Sequence, residues 1–271
     1  MIDVAAYYQA IDAAYGALSG EALEGRLQEL LHQCRMKVGE RDPFYAAMLN
    51  ELGGYYRGQN RFSESEQCFL QALAIFRAID HANSNLATTL NNLAGTHRLM
   101  GQYELARQEF SECLTLYRAE LGSDHILYAS ALNNLSLVCL DQRDLDGAER
   151  YLSDAAAILS RLPQHQEEYA SSLCNLANLH YFRKDGAKAR TELETAIKLH
   201  ETAIGTRTPH YHSALHTLGI VLLDSGLVEE AYAALQKGAT AAEALYGPSH
   251  DHTKSIRHME DLVRKKLEAA I

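Results

Sequence analysis

Tryptophan is missing from these 271 residues, and proline appears only 4 times. No stretch is rich in glycine, serine or proline either, so nothing reads as a linker between domains. Basic runs are scarce too: none exceeds Arg264-Lys265-Lys266, and the formal net charge is -10. This argues against a nucleic-acid or anionic-membrane surface, whose affinity comes largely from neutralised phosphates. No apolar run approaches the roughly 20 residues of a membrane span. The five cysteines (Cys34, Cys68, Cys113, Cys139 and Cys174) are odd in number and lack C-x-x-C spacing. All fall inside helical patterns, where a free thiol behaves as a small hydrophobe, and they point to a reducing compartment. Met1-Ile2-Asp3-Val4 lacks the basic and apolar regions of a secretory signal. A soluble cytoplasmic protein is the expectation.

What is present is apolar and periodic. Apolar residues make up 47% of the chain, ample for a continuous core. Thr89-Leu90-Asn91-Asn92-Leu93-Ala94-Gly95 recurs as Ser130-Ala131-Leu132-Asn133-Asn134-Leu135-Ser136 and as Ser172-Leu173-Cys174-Asn175-Leu176-Ala177. Looser versions stand at 48–53 and 214–219. The anchoring leucines Leu49, Leu90, Leu132, Leu173 and Leu215 are 41, 42, 41 and 42 residues apart. So steady a period means an array of one supersecondary unit.

Within each unit an apolar stripe marks a first helix, as in Leu49, Leu52 and Tyr56, or Leu90, Leu93 and His97. A break follows at Gly58-Gln59-Asn60, Gly101, Asp144 or Gly226. A second stripe then marks the longer partner helix, as in Phe62, Phe69, Leu73 and Phe76. Gly101 is placed to stop a helix, and Asp144 to cap one. Helices are expected over 3–18, 20–38, 44–58, 62–79 and 250–270, among others. Residues 1–44 read as a degenerate first repeat, 45–249 as five repeats and 250–271 as a terminal capping helix, all in one domain.

Leu-x-x-Leu-(Gly/Ala)-x-x-(Tyr/His), followed by Gly-x-(Tyr/Phe)-x-x-Ala-x-x-x-(Phe/Leu)-x-x-Ala, resembles the tetratricopeptide repeat. The 42-residue period and connectors such as Leu121-Gly122-Ser123-Asp124-His125 resemble the kinesin-light-chain subtype. Kinesin light chain also carries a heptad coiled coil ahead of its repeats. None is seen here, so no motor role is expected. The resemblance implies an all-α, right-handed superhelical solenoid of antiparallel helix pairs with a C-terminal cap. It also implies that the first helices line a concave groove that holds a segment of a partner protein.

With the anchoring leucine as position 4, the resemblance places positions 2, 5, 6, 9, 12 and 13 in that groove. Position 5 holds Asn50, Asn91, Asn133, Cys174 and His216; position 6 holds Glu51, Asn92, Asn134, Asn175 and Thr217. An asparagine amide both donates and accepts, so a row of them suits an extended peptide backbone. The same amides could instead bond between neighbouring helices and set the stacking. Position 9 runs Gly54, Gly95, Leu137, Asn178, Ile220, and position 12 runs Arg57, Arg98, Leu140, Tyr181, Leu223. Arg57 and Arg98, one repeat apart, suit acidic side chains or a carboxylate. The lysine clamp that some members of the family place at positions 2 and 5 is absent. An internal acidic-plus-apolar segment is therefore the expected ligand.

His212 and His216 stand at i, i+4, with His250 and His252 one repeat later. No Glu follows in the H-E-x-x-H manner and no cysteine is near in sequence, so no metal is expected. His81, His125, His165, His210 and His250 fall once per connector and read as structural punctuation. No G-x-S-x-G, Gly-rich phosphate loop or other catalytic motif appears, and neither an enzyme nor a cofactor is expected. The favoured function is a noncatalytic adaptor: Asn92, Asn134 and Asn175 capture backbone while Arg57, Arg98 and Tyr181 select. Two alternatives remain: a regulatory subunit that controls a partner enzyme or senses an effector peptide, and a self-assembling scaffold of homo-oligomers.

Overall fold

A computed structural model describes residues 4–79 and 83–269 of the chain. Among the described residues there are thirteen α-helices and no strand. The helices are α1 (Val4–Ala17), α2 (Gly20–Val38), α3 (Pro43–Gly58), α4 (Phe62–Arg77), α5 (Asn83–Leu99), α6 (Tyr103–Leu121) and α7 (Ile126–Asp141). They continue as α8 (Leu145–Leu159), α9 (Gln166–Phe182), α10 (Gly186–Leu199), α11 (Pro209–Asp224), α12 (Val228–Tyr246) and α13 (Asp251–Glu268). A short π-helical turn, His200–Ile204, continues α10. Of the connector histidines, His81 lies outside the described residues.

The turn inside each pair from α3/α4 to α11/α12 is set locally and repeats with the period. Asn60, Gly101, Arg143, Lys184 and Gly226 all have left-handed φ, between 59° and 78°. In each, the next residue's N–H reaches back to a carbonyl five residues earlier, as in Arg61 to Tyr56 and Asp144 to Cys139. This is the Schellman closure, which satisfies the orphan carbonyls at a helix end. Glycine adopts that φ freely, so Gly101 and Gly226 fit it without cost. Asp144 then caps α8 by accepting from the Gly147 N–H at 2.9 Å, as its position in the sequence predicts.

Once two helices are reversed in this way, their apolar stripes face each other. The described residues divide into two compact units, Met1–Val138 and Cys139–Ile271. In the first, α1 to α6 pack each on the next, and the first helices α3 and α5 also touch. Tyr7, Ile11, Leu27, Leu30, Met48, Leu49 and Phe76 form a buried core there. In the second, α8 to α13 pack in the same order and α9 touches α11. Leu193, Leu215, Leu218, Leu222 and Leu235 join Ile256 and Val263 of α13, so the last helix covers the end of that core. Each such side chain contributes about 1.5–3 kcal/mol when buried.

Two glycines let the paired helices approach. A Cβ on Gly53 would lie 2.8 Å from the Phe69 ring, and one on Gly219 would lie 2.5 Å from Leu235. Both partners are fully buried. In these two pairs the first helix therefore presents glycine where the second presents a fully buried Phe69 or Leu235.

Candidate functional site

The face lined by first helices opens, in the first unit, into a cleft of about 320 Å³. Tyr8 from α1, then Asn50, Glu51, Gly54 and Arg57 from α3, and Thr88 and Asn92 from α5, line it. Residues 47, 50, 51, 54 and 57 share one side of a 3.6-residue helix, which is why one cleft collects them. Gly54 has open space where a Cβ would sit. Gly95 has another role: a Cβ there would lie 3.1 Å from the Arg57 guanidinium. Its missing side chain lets Arg57 cross to α5 and donate to the Asn92 carbonyl at 3.1 Å.

The asparagine rows are engaged between helices. Asn50 Nδ2 donates to Thr89 Oγ1 at 2.8 Å, tying α3 to α5. Asn134 Nδ2 donates to Asn91 Oδ1 at 3.1 Å, tying α7 to α5. These amides do the stacking work that the sequence left as the other option. Asn50 Oδ1 is buried and without a partner among the described residues. Asn133 and Asn175 are half-buried on α7 and α9.

In the second unit the remaining candidates are dispersed. Asn178 borders a separate cleft of about 440 Å³ with Leu140, Leu179 and the exposed Phe182. Tyr181 donates its hydroxyl to Asp224 at 2.6 Å. His216 is half-buried beside His212, and burial pushes both imidazoles below their ordinary pKa. His212 packs edge-on to Tyr246 at 5.3 Å and lies 5.9 Å from His252. Among the described residues no group of three or more His, Cys, Asp or Glu is arranged to hold a metal ion.

The electrostatics single out the first-unit cleft. Glu51 is pushed above the usual carboxylate range, mostly by burial and then by the charge of Asp12. Arg57 is held below the usual guanidinium range, again by burial first and then by Arg98. Tyr8 and Tyr15 are raised by burial first and then by the Glu51 charge, and Tyr8 shares the cleft with that carboxylate. α1 is exposed at Val4, Tyr8 and Tyr15, and Leu18 just beyond its end is exposed too. Sequence reasoning missed this contribution, because the degenerate first repeat carries no copy of the Leu-Asn-Asn-Leu signature. The aromatic i, i+7 spacing of Tyr8 and Tyr15 was the available signal.

It also missed a repeated histidine–glutamate clamp. His97 Nδ1 lies 2.7 Å from Glu109 and Nε2 lies 3.1 Å from Glu66. His180 lies at 2.9 Å from Glu192 and 3.2 Å from Glu149. Each histidine, read from sequence as a stripe residue, is thus held between glutamates of the two flanking second helices. Tyr56 occupies the same place in its own repeat and bonds Gln28 at 2.9 Å. Burial alone lowers the pKa of His97, but the two glutamates outweigh it and the net shift is upward. Cysteine reactivity is low: burial pushes Cys34, Cys68 and Cys174 up to about 11 and Cys113 to about 12.

Helix pairs stacked in series, with polar clefts on the first helices, define an α-helical repeat protein of the interaction-scaffold class. The chain belongs to the tetratricopeptide-repeat family: models of the tetratricopeptide repeat match residues 85–161 and, separately, 46–79 and 170–210. No curated protein matches the sequence. Among solved structures it is similar to BtubC (BKLC) from P. vanneervenii, with a TM-score of 0.69 at 19% identity over 89% of this chain and 93% of that one. It is also similar to a putative kinesin light chain with nearly identical TPR-like repeats from Podosopora anserina, with a TM-score of 0.62 at 17% identity over 76% and 98%. The apo form of RapI gives a TM-score of 0.62 at 12% identity over 99% and 100%. In fold, then, the repeats are kinesin-light-chain-like. No described helix is long and apolar enough to cross a membrane.

Proposed function

We propose that this protein is a noncatalytic adaptor that holds a peptide segment of a partner protein on the face of its first helices. The observation that carries this reading is the α1–α3–α5 cleft, which Arg57 lines from α3 and where Asn50 Oδ1 has no partner among the described residues. A guanidinium already partly removed from water gains from an incoming carboxylate. A backbone N–H of the bound segment would satisfy Asn50. Gly54 leaves the floor of the cleft open.

The test is affinity capture with wild type and with an Arg57→Ala/Arg98→Ala variant, both checked for folding by circular dichroism. A partner retained by wild type and lost by the variant supports the cleft as the binding site. Recovery of the same proteins by both sinks it.

A further inference from the structure

We infer that a groove along α12 is a second binding site, one that takes a phosphorylated side chain of a partner segment. It lies in the second unit and shares no residue with the α1–α3–α5 cleft.

The groove has a volume of about 540 Å³. Ala233, Lys237, Ala241 and Ala244 line it from α12, where steps of three and four residues keep them on one face. From 233 to 244 that face runs about 16 Å, at about 1.5 Å per residue. Ala233, Lys237 and Ala244 are exposed, so the groove stays open along the helix.

Three cations line this groove and no carboxylate does, on a chain whose net charge is -10. They come from three elements: Arg207 from the connector into α11, Lys237 from α12 and Arg257 from α13. Lys237 pairs with Glu201, which also accepts from the Tyr211 hydroxyl at 3.0 Å. Arg257 reaches Glu243 at 2.7 Å and Glu260 at 2.9 Å. None of these glutamates lines the groove. They fix the two cations in place, and both side chains keep N–H donors beyond those bonds. Arg207 is treated differently. It is exposed, makes no ion pair among the described residues, and donates to the Ala244 carbonyl at 3.5 Å. So long a bond is weak, and the Arg207 charge is the one left to compensate.

The connector that carries Arg207 is also the irregular one. Gly39, Gly122 and Gly247 each donate to a carbonyl four residues back, whereas Gly205 donates to His200, five back, through the π-helical turn. Glu201, which holds Lys237 and Tyr211, lies in that turn. Single π turns recur at functional places in helices.

Donors from three elements suit a phosphate monoester, which brings three acceptor oxygens and a charge of about -1.5 to -2 at neutral pH. Arginine's fork matches such a group. Tyr211 belongs to the first turn of α11, so the positive end of that helix dipole stands at the same place. A free small ligand is held in a cavity that buries most of its surface. A groove open along a helix instead suits a phosphate carried on a chain.

The experiment is a synthetic array of random peptides, each made with serine and with phosphoserine at its centre, probed with the full chain and its variants. Affinities of the retained peptides are then read by fluorescence anisotropy. Wild type is expected to bind the phosphoserine forms about tenfold more tightly than the serine forms, or better. Arg207→Gln and Lys237→Gln should each lose most of that difference. Lys254→Gln, which removes an equal charge from outside the groove, should keep it. The Arg57→Ala/Arg98→Ala protein should keep it too, so the two sites stand or fall separately. A wild type indifferent to the phosphate, or an Arg207→Gln protein that retains the preference, overturns the site. Equal loss in Lys254→Gln also overturns it, since general attraction would then suffice. Phenyl phosphate that displaces the peptides at equal concentration overturns the assignment to a chain and gives the groove to a small phosphate ester.

Discussion

Gly53 and Gly54 are neighbours inside α3, and replacing each by alanine should move stability in opposite directions. Either change removes a helix-interior glycine, worth about 0.5–1 kcal/mol. At Gly54 nothing lies within 4 Å of the new Cβ, so that gain stands and Gly54→Ala is stabilising. At Gly53 the new Cβ would meet three carbons of the Phe69 ring at 2.8, 3.0 and 3.0 Å. Phe69 is 0% exposed, its ring wholly enclosed by protein. Overpacking of this kind costs about 1–3 kcal/mol. The propensity gain is common to both variants and cancels in their difference, which leaves Gly53→Ala less stable by about 1–3 kcal/mol. At roughly 2–4 °C per kcal/mol for a chain of this size, thermal melting by circular dichroism resolves the gap. A Gly53→Ala protein that melts at or above Gly54→Ala would refute the close packing of α3 on α4.

Three further outcomes follow from the same geometry. Lys184 holds a left-handed φ of 66° that suits glycine, so Lys184→Gly should stabilise by about 0.5–1 kcal/mol in urea unfolding; a loss would mean that its side chain matters more than its backbone. Asn50→Ala removes the 2.8 Å bond to Thr89 and should cost about 1 kcal/mol, whereas no change would return that amide to a ligand-only role. The two halves should respond to acid with opposite sign. His97, raised above its ordinary 6.5 by Glu109 and Glu66, lends stability that is full below pH 6.5 and is lost as pH rises through its folded value. His212 and His216 are lowered, chiefly by burial and then by neighbouring imidazoles, so their stability is full above 6.5 and is lost as pH falls toward their folded values. Hydrogen exchange, corrected for intrinsic rates, should show α11 and α13 opening more easily at acid pH while α5 tightens. Parallel changes in both would contradict this.

The sequence by itself determined whatever is local and periodic. A stripe every 3.6 residues needs only one helix to be recognised, and a left-handed turn needs only its own four or five residues. That is why the breaks at Asn60, Gly101 and Gly226 and the cap at Asp144 were legible before any fold was known. The tertiary structure decided which side chains meet across helices. Glu66 and Glu109 stand 31 residues before and 12 after His97, and only the reversal of α4 and α6 around α5 brings them to one imidazole. Gly95 makes room for Arg57 to reach the Asn92 carbonyl because α3 and α5 pack at a particular height and rotation. A one-dimensional period fixes neither quantity. Charge that reads along the chain as a solvated surface thus becomes, after stacking, a clamp around an imidazole in one place and the lining of a cleft in another.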